Sequence, residues 1–207
     1  MSASQPARVG RLAVIALAGL SLSSCGVNAV PTAEENAKAK WADVQAAFQE
    51  RANLLPNLAA VAKGAATQEK EILTGVMEAR AKATSPQVQV TANDLSDPAK
   101  MAAFQNAQNQ LSQQLGGFSR LLANVERYPE LKSITNYQML QSQIEGQENR
   151  VRVSIRDYNQ AVQAYNTTIR TFPDAIAAKI VYGAKPMVPY QAVTPGAEVA
   201  PSLEGKV

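Results

Sequence analysis

Apolar residues recur along this chain at helical spacing. Trp41, Phe48, Leu55 and Ala62 fall seven apart, with Val44 and Leu58 beside them, and such a recurrence marks a helix that buries one stripe against partners. Thr32-Ala33-Glu34-Glu35 ahead of that run has the form of a capping box, in which a hydroxyl and a carboxylate satisfy free N–H groups. The first helix is therefore predicted to start at Ala33. From there to Ala83 the chain is rich in Ala, Gln, Glu and Lys, good helix formers. Pro56 interrupts the pattern, removing one backbone donor and crowding the preceding turn, so a kink is predicted over Asn53 to Pro56 with helix continuing beyond it.

Residues 84–96 (TSPQVQVTANDLS) lose the helical period and read as a mobile connection. Asp97-Pro98 then supplies an N-cap acid and a proline at the first helical position. The second helix carries Met101, Phe104, Gln108, Leu111, Leu115, Phe118, Leu122 and Val125 at alternating spacings of three and four. It should stop near Arg127, because Tyr128 precedes Pro129 and is pushed out of helical geometry. The third pattern is the most regular: Tyr137, Ile144, Val151, Tyr158, Tyr165 and Phe172 form one seam position, and Ile134, Gln141, Glu148, Ile155, Val162 and Ile169 its partner. Phe172-Pro173 is predicted to end it. Pro173 to Val181 reads as a short fourth helix stopped by Gly183, followed by an extended tail with Pro186, Pro189, Pro195 and Pro201 lying against the bundle.

Three long seams and a short fourth helix predict an all-α fold, an elongated up-down-up four-helix bundle packed at shallow angles. Arg51, Gln108, Gln141 and Glu148 occupy seam positions that are apolar elsewhere, and burying a charge costs several kcal/mol unless it is paired. With helix one rising, helix two descending and helix three rising, Arg51, Gln108 and Glu148 come to roughly 27 to 30 Å from the base at 1.5 Å per residue. They are predicted to form one buried polar layer that sets register. Glu145 and Glu148, three apart on a helix, are the candidate carboxylate pair for acid/base work, with a solvated or salt-bridged face as the structural alternative. In Asp157-Tyr158-Asn159 and Tyr165-Asn166 the tyrosines suit the core with their hydroxyls bonded, and Asn159 and Asn166 line a neighbouring stripe.

Composition narrows the chemistry. The chain contains no histidine, which excludes His-based acid/base catalysis, Ser-His-Asp and Cys-His systems, His-type zinc sites and Glu-x-x-His di-iron pairs. No phosphate-binding or dinucleotide-binding glycine motif and no G-x-S-x-G is present. Carboxylate-only catalysis stays open, and no cofactor or metal is expected. No Lys/Arg cluster interleaved with aromatics marks a nucleic-acid partner.

The N-terminus supplies a location. Arg8 and Arg11 precede an apolar run from Leu12 to Leu22, and Leu22-Ser23-Ser24-Cys25 then has the form of a lipoprotein processing site around the chain's one cysteine. Cleavage before Cys25 would remove Arg8 and Arg11 from 20 basic residues and nothing from 17 acidic ones, leaving 18 against 17. A diacylglyceryl group on Cys25 with an acylated amine supplies the two chains that stable anchoring needs. The competing reading is an uncleaved membrane anchor over Leu12 to Ala33, 22 residues without charge. Either way the expected organisation is a signal or anchor over 1–24, a tether over 25–32, a helical bundle over 33–183 and a Pro-containing tail over 184–207.

Several words of the sequence, in order, resemble the LemA family from about Trp41 to Pro186. They are Glu50-Arg51-Ala52-Asn53-Leu54-Leu55-Pro56-Asn57-Leu58, Glu78-Ala79-Arg80, Ser119-Arg120-Leu121-Leu122, Glu126-Arg127-Tyr128-Pro129-Glu130-Leu131-Lys132, Glu145-Gly146-Gln147-Glu148-Asn149-Arg150, the two Tyr-Asn pairs and Phe172-Pro173. Asn53 stands where the family commonly carries an acid, and Gln147 where it carries a threonine. The resemblance implies a bacterial envelope protein with a membrane-anchored N-terminus, a helical bundle on the extracytoplasmic side and no established catalytic residues.

The expected function is thus a non-enzymatic interaction or scaffold module, lipid-anchored through Cys25 or held as a single-pass protein, whose sides face other envelope proteins, in the periplasm where there is one. The alternatives are a carboxylate-dependent cell-wall enzyme using Glu145 and Glu148, and a bundle that binds lipid or a small ligand.

Overall fold

The computed structural model of the chain describes residues 28–61, 67–123 and 137–191. Five α-helices lie among them: α1 Ala29–Val61, α2 Thr67–Ala83, α3 Pro98–Ala123, α4 Tyr137–Thr168 and α5 Asp174–Ile180. The all-α fold expected from the seams is what the chain adopts. Cys25, the apolar run before it, the Tyr128-Pro129 turn, Pro195 and Pro201 lie outside the described residues.

The predicted first helix is two helices. Arg80 lies against Ala52, since its Nε donates to the Ala52 carbonyl at 2.8 Å, whereas one continuous helix would hold residues 28 apart roughly 42 Å away. α2 therefore runs back along α1. The reversal also inverts the direction predicted for the next helix: from Trp41 to Arg51 along α1, the neighbours on α3 advance from Phe104 to Gln108 while those on α4 recede from Tyr158 to Glu148. The order is up-down-up-down, with α5 as a cap, in place of three long helices and a short fourth. Gly75 brings α2 close to α3, because a Cβ there would meet Gln114 Oε1 at 3.0 Å.

Local signals account for a few of the helix ends. Asp97 caps α3 as predicted, its Oδ1 accepting from the N–H groups of Ala99 and Lys100 at 2.9 and 3.2 Å. Gly183, at φ 55°, turns the chain just past α5, and the Ala184 N–H donates back to the Ala178 carbonyl at 2.9 Å. The capping box at Thr32 does not form. α1 begins four residues earlier than Ala33, and the Thr32 hydroxyl donates back to the Asn28 carbonyl at 2.7 Å. Pro31 permits this, since a proline in the first turn has no intrahelical donor to lose. α4 ends at Thr168, so Phe172 leaves the predicted seam and stands exposed.

Residues 84–97 are no loose connection. Val90 and Leu95 are buried, and the Val90 carbonyl accepts from Trp41 Nε1 at 2.8 Å and Gln45 Nε2 at 3.1 Å. Asp94 pairs with Lys100 and accepts from the Thr91 N–H and hydroxyl; the Lys100 ammonium first, then the Thr91 donors, hold its carboxyl down to about 2.

The core is in two parts. One surrounds Trp41, whose ring meets Phe104 edge-on at 5.4 Å and Tyr158 at 5.0 Å, and extends through Phe48, Val151 and Tyr190. The other contains Leu55, Val76, Leu111, Leu115 and Ile144.

Candidate functional site

Between the two cores sits the polar layer. Arg51 lies on α1 between Phe48 and Leu55, Gln108 on α3 between Phe104 and Leu111, and Glu148 on α4 between Val151 and Ile144. The heptad positions that elsewhere carry core residues carry these three, and the structure brings them together. Arg51 is 2% exposed. Its Nη1 donates to Glu148 Oε1 at 3.0 Å and to Ser112 Oγ at 2.8 Å, and its Nη2 to Gln108 Oε1 at 2.7 Å. The guanidinium stands 4.9 Å from the centre of the Phe48 ring, close enough for a cation–π contact. Gln108 continues the network, its Nε2 donating to the Ala83 carbonyl at 3.2 Å at the end of α2. Arg51 Nε alone of the guanidinium nitrogens is buried without a hydrogen-bond partner.

A second tie lies one residue along. Pro56 has no N–H to give the Ala52 carbonyl, its partner in the helical ladder. Arg80 from α2 supplies the missing donor. A buried carbonyl left open costs about 1–3 kcal/mol, so the proline and the arginine answer each other across two helices. The pairing joins the Arg51-to-Pro56 stretch to Glu78-Ala79-Arg80, and sequence reading missed it. The signal was the proline itself, which always leaves the carbonyl four residues back without its usual donor.

The other candidates separate. Gln141 is half-buried and gives its Nε2 to Glu145 Oε1 at 3.1 Å, on the exposed side of α4. Glu145 therefore turns outward while Glu148, its side chain 34% exposed, turns toward Arg51. A cavity of about 20 Å³ beside the layer is bordered by Gln45, Gln49, Thr84 and Gln108. It has room for one water molecule.

The Tyr-Asn pairs do more than fill a seam. Asn166 Nδ2 donates to the Met187 carbonyl at 2.8 Å and its Oδ1 accepts from the Met187 N–H at 2.9 Å; Asn159 does the same for Tyr190, at 2.8 Å in both directions. Tyr158 and Tyr165 donate their hydroxyls to the Val188 and Lys185 carbonyls at 2.9 and 3.1 Å. Seven helical residues advance about 10.5 Å and three extended residues about 10 Å. A heptad repeat on α4 thus matches a three-residue repeat in the tail, which runs antiparallel to it. The Val188 N–H adds a 2.8 Å bond to the Leu95 carbonyl on the opposite side. Burial raises the Tyr158 hydroxyl well above its ordinary value, and burial, with Glu148 adding and Arg51 opposing, pushes Tyr190 up to about 12.

Among the described residues no group of three or more His, Cys, Asp and Glu is placed to hold a metal ion, and no helix is long and apolar enough to cross a membrane. Comparison with known proteins finds two relatives, the magnetosome proteins MamQ 1 and MamQ 2 of Paramagnetospirillum magneticum (strain ATCC 700264 / AMB-1). Each is 25% identical over 191 residues, covering 81% of this chain and 69% of the relative. The sequence profile of the LemA family matches residues 40–204, a span that takes in the arginine layer, the Pro56–Arg80 tie and the clamped tail, and the chain belongs to the LemA family.

Proposed function

We propose that the protein is a membrane-anchored, non-enzymatic interaction module of the cell envelope, attached through a lipidated Cys25, with the bundle on the extracytoplasmic side and its long faces turned to other envelope proteins. The observation that carries this reading is where the interior polar groups point. Arg51, Gln108, Ser112 and Glu148 answer one another, Arg80 answers Ala52, and the two asparagines answer the tail. Every one of these groups holds the bundle together, which suits a rigid presenting surface better than a reactive centre. Crosslinking in native membranes followed by isolation of the protein is expected to bring down a reproducible envelope partner; recovery of nothing above background would count against it.

The carboxylate-enzyme reading would need Glu145 and Glu148 to act together, and Glu148 is held by Arg51. Glu145→Gln tests that reading cleanly because the side chain is exposed. Loss of the protein's cellular phenotype in this variant, with the fold intact, would favour catalysis.

A further inference from the structure

One end of the bundle carries apolar side chains that stay exposed among the described residues. Phe172, Ile176, Ile180 and Val181 are 82%, 54%, 77% and 64% exposed. Ile176 and Ile180, four residues apart, share one face of α5, and Phe172 lies in the turn just before it, while Ala178, on the opposite face of α5, is buried. Because α4 runs antiparallel to α1, with Tyr158 on Trp41 and Glu148 on Arg51, its end and the α5 that follows it lie at the bundle end where α1 begins. Only three residues separate Cys25 from Ala29, a reach of at most roughly 14 Å whatever their conformation. The flanks are basic. Arg170, Lys179 and Lys185 are exposed, against the single acid Asp174 between 170 and 185, and the nearby Glu34 and Glu35 are both paired with Lys38.

We propose that this face docks on the lipid bilayer itself, as a second membrane contact beside the anchor. The inference rests on the membrane-anchored reading above. An apolar face rimmed by Lys and Arg is the form taken by segments that lie in the interface, apolar side chains about 5–10 Å into the headgroup boundary and cations among anionic headgroups. Two contacts at one end, the N-terminal anchor and α5, would orient the bundle, where an anchor alone would let it swivel.

The test uses full-length protein purified from native membranes, with its processed N-terminus, and reconstituted in phosphatidylethanolamine/phosphatidylglycerol vesicles. An environment-sensitive fluorophore is placed by Ile180→Cys or, as comparison, Gln113→Cys, which lies on α3 two residues past Leu111 in the Leu55 cluster, roughly 39 Å along α1 from Ala29. Wild-type protein carried through the same labelling reports any signal from Cys25. Both introduced positions are exposed, so neither substitution disturbs the core. Quenching by spin-labelled lipid is expected to be at least roughly threefold stronger at 180 than at 113. Equal quenching at the two positions in protein that floats with the vesicles would overturn the docking and leave the patch to a protein partner. Failure of the protein to float would overturn the anchor reading, and the docking with it.

Discussion

Asn159 holds Tyr190 by both polar groups of one backbone residue, its amide nitrogen donating to the Tyr190 carbonyl and its oxygen accepting the Tyr190 N–H, each at 2.8 Å. An asparagine side chain is a peptide group in miniature, so it can close this ring where a serine or aspartate cannot. Tyr190 is buried against Phe48 at 5.9 Å between ring centres. Asn159→Ala leaves its N–H and carbonyl unanswered, and a loss of about 2–3 kcal/mol is expected. Asn159→Asp keeps an acceptor and loses the donor, and should fall between alanine and wild type. Urea denaturation of the three proteins checks the order.

The Arg51–Glu148 pair should be unequal in its two halves. Glu148→Ala leaves a nearly inaccessible guanidinium with only Gln108 and Ser112 as partners, whereas Arg51→Met leaves a carboxylate that water already reaches, 34% exposed. Removing one partner of a buried pair costs about 3–5 kcal/mol when the survivor stays dry. Glu148→Ala is expected near the lower end of that range after discounting for its exposure, and Arg51→Met near 1–2 kcal/mol. The double variant should lose less than the sum, because the survivor's penalty disappears. Equal single losses in chemical denaturation would mean that Arg51 rehydrates as easily as Glu148.

Pro56 and Arg80 should show coupling of the same kind. Arg80→Met removes the donor that reaches the Ala52 carbonyl, at an expected cost of about 1–2 kcal/mol. In a Pro56→Ala background the new N–H lies four residues ahead of that carbonyl and can take Arg80's place, so Arg80→Met should then cost under about 0.5 kcal/mol. A double-mutant cycle with a coupling near zero would show that Arg80 acts through packing alone.

How far the sequence reached follows from this geometry. The seams named most of the core, since Trp41, Phe48, Leu55, Met101, Phe104, Leu111, Ile144, Val151, Tyr158 and Val162 are all buried, and period is a property of the helix that survives any arrangement of its neighbours. The polar residues Arg51, Gln108 and Glu148 share a layer although α3 and α4 both run opposite to the directions predicted for them, because neither Gln108 nor Glu148 lies at an end of its helix. The chain reversal before α2 was not legible: Ala, Gln, Glu and Lys favour helix on either side of it, and propensity says nothing about which way a helix points. The grip on the tail was half legible. The seven-residue repeat of Tyr-Asn was visible, but its partner is backbone, which has no sequence signature, and the match depends on the coincidence of seven helical rises with three extended ones.

Alkaline unfolding should follow from the buried tyrosines. An unfolded tyrosine titrates near 10, while in the native chain burial holds the Tyr158 hydroxyl well above that value and pushes Tyr190 up to about 12. A group whose folded value is raised binds its proton more tightly in the native state, so its stability contribution is complete below pH 10 and is lost as pH rises through the folded value. Each unit of difference corresponds to about 1.4 kcal/mol, which for Tyr190 means a loss of the order of 2–3 kcal/mol between about pH 10 and 12. Tyr158→Phe keeps the ring against Trp41 but gives up the bond to the Val188 carbonyl. It should therefore start about 1 kcal/mol less stable near neutral pH and then decline less steeply above pH 10 than wild type. Denaturant midpoints collected from about pH 8 to 12 give both slopes, and parallel declines would mean that Tyr158 does not titrate with unfolding.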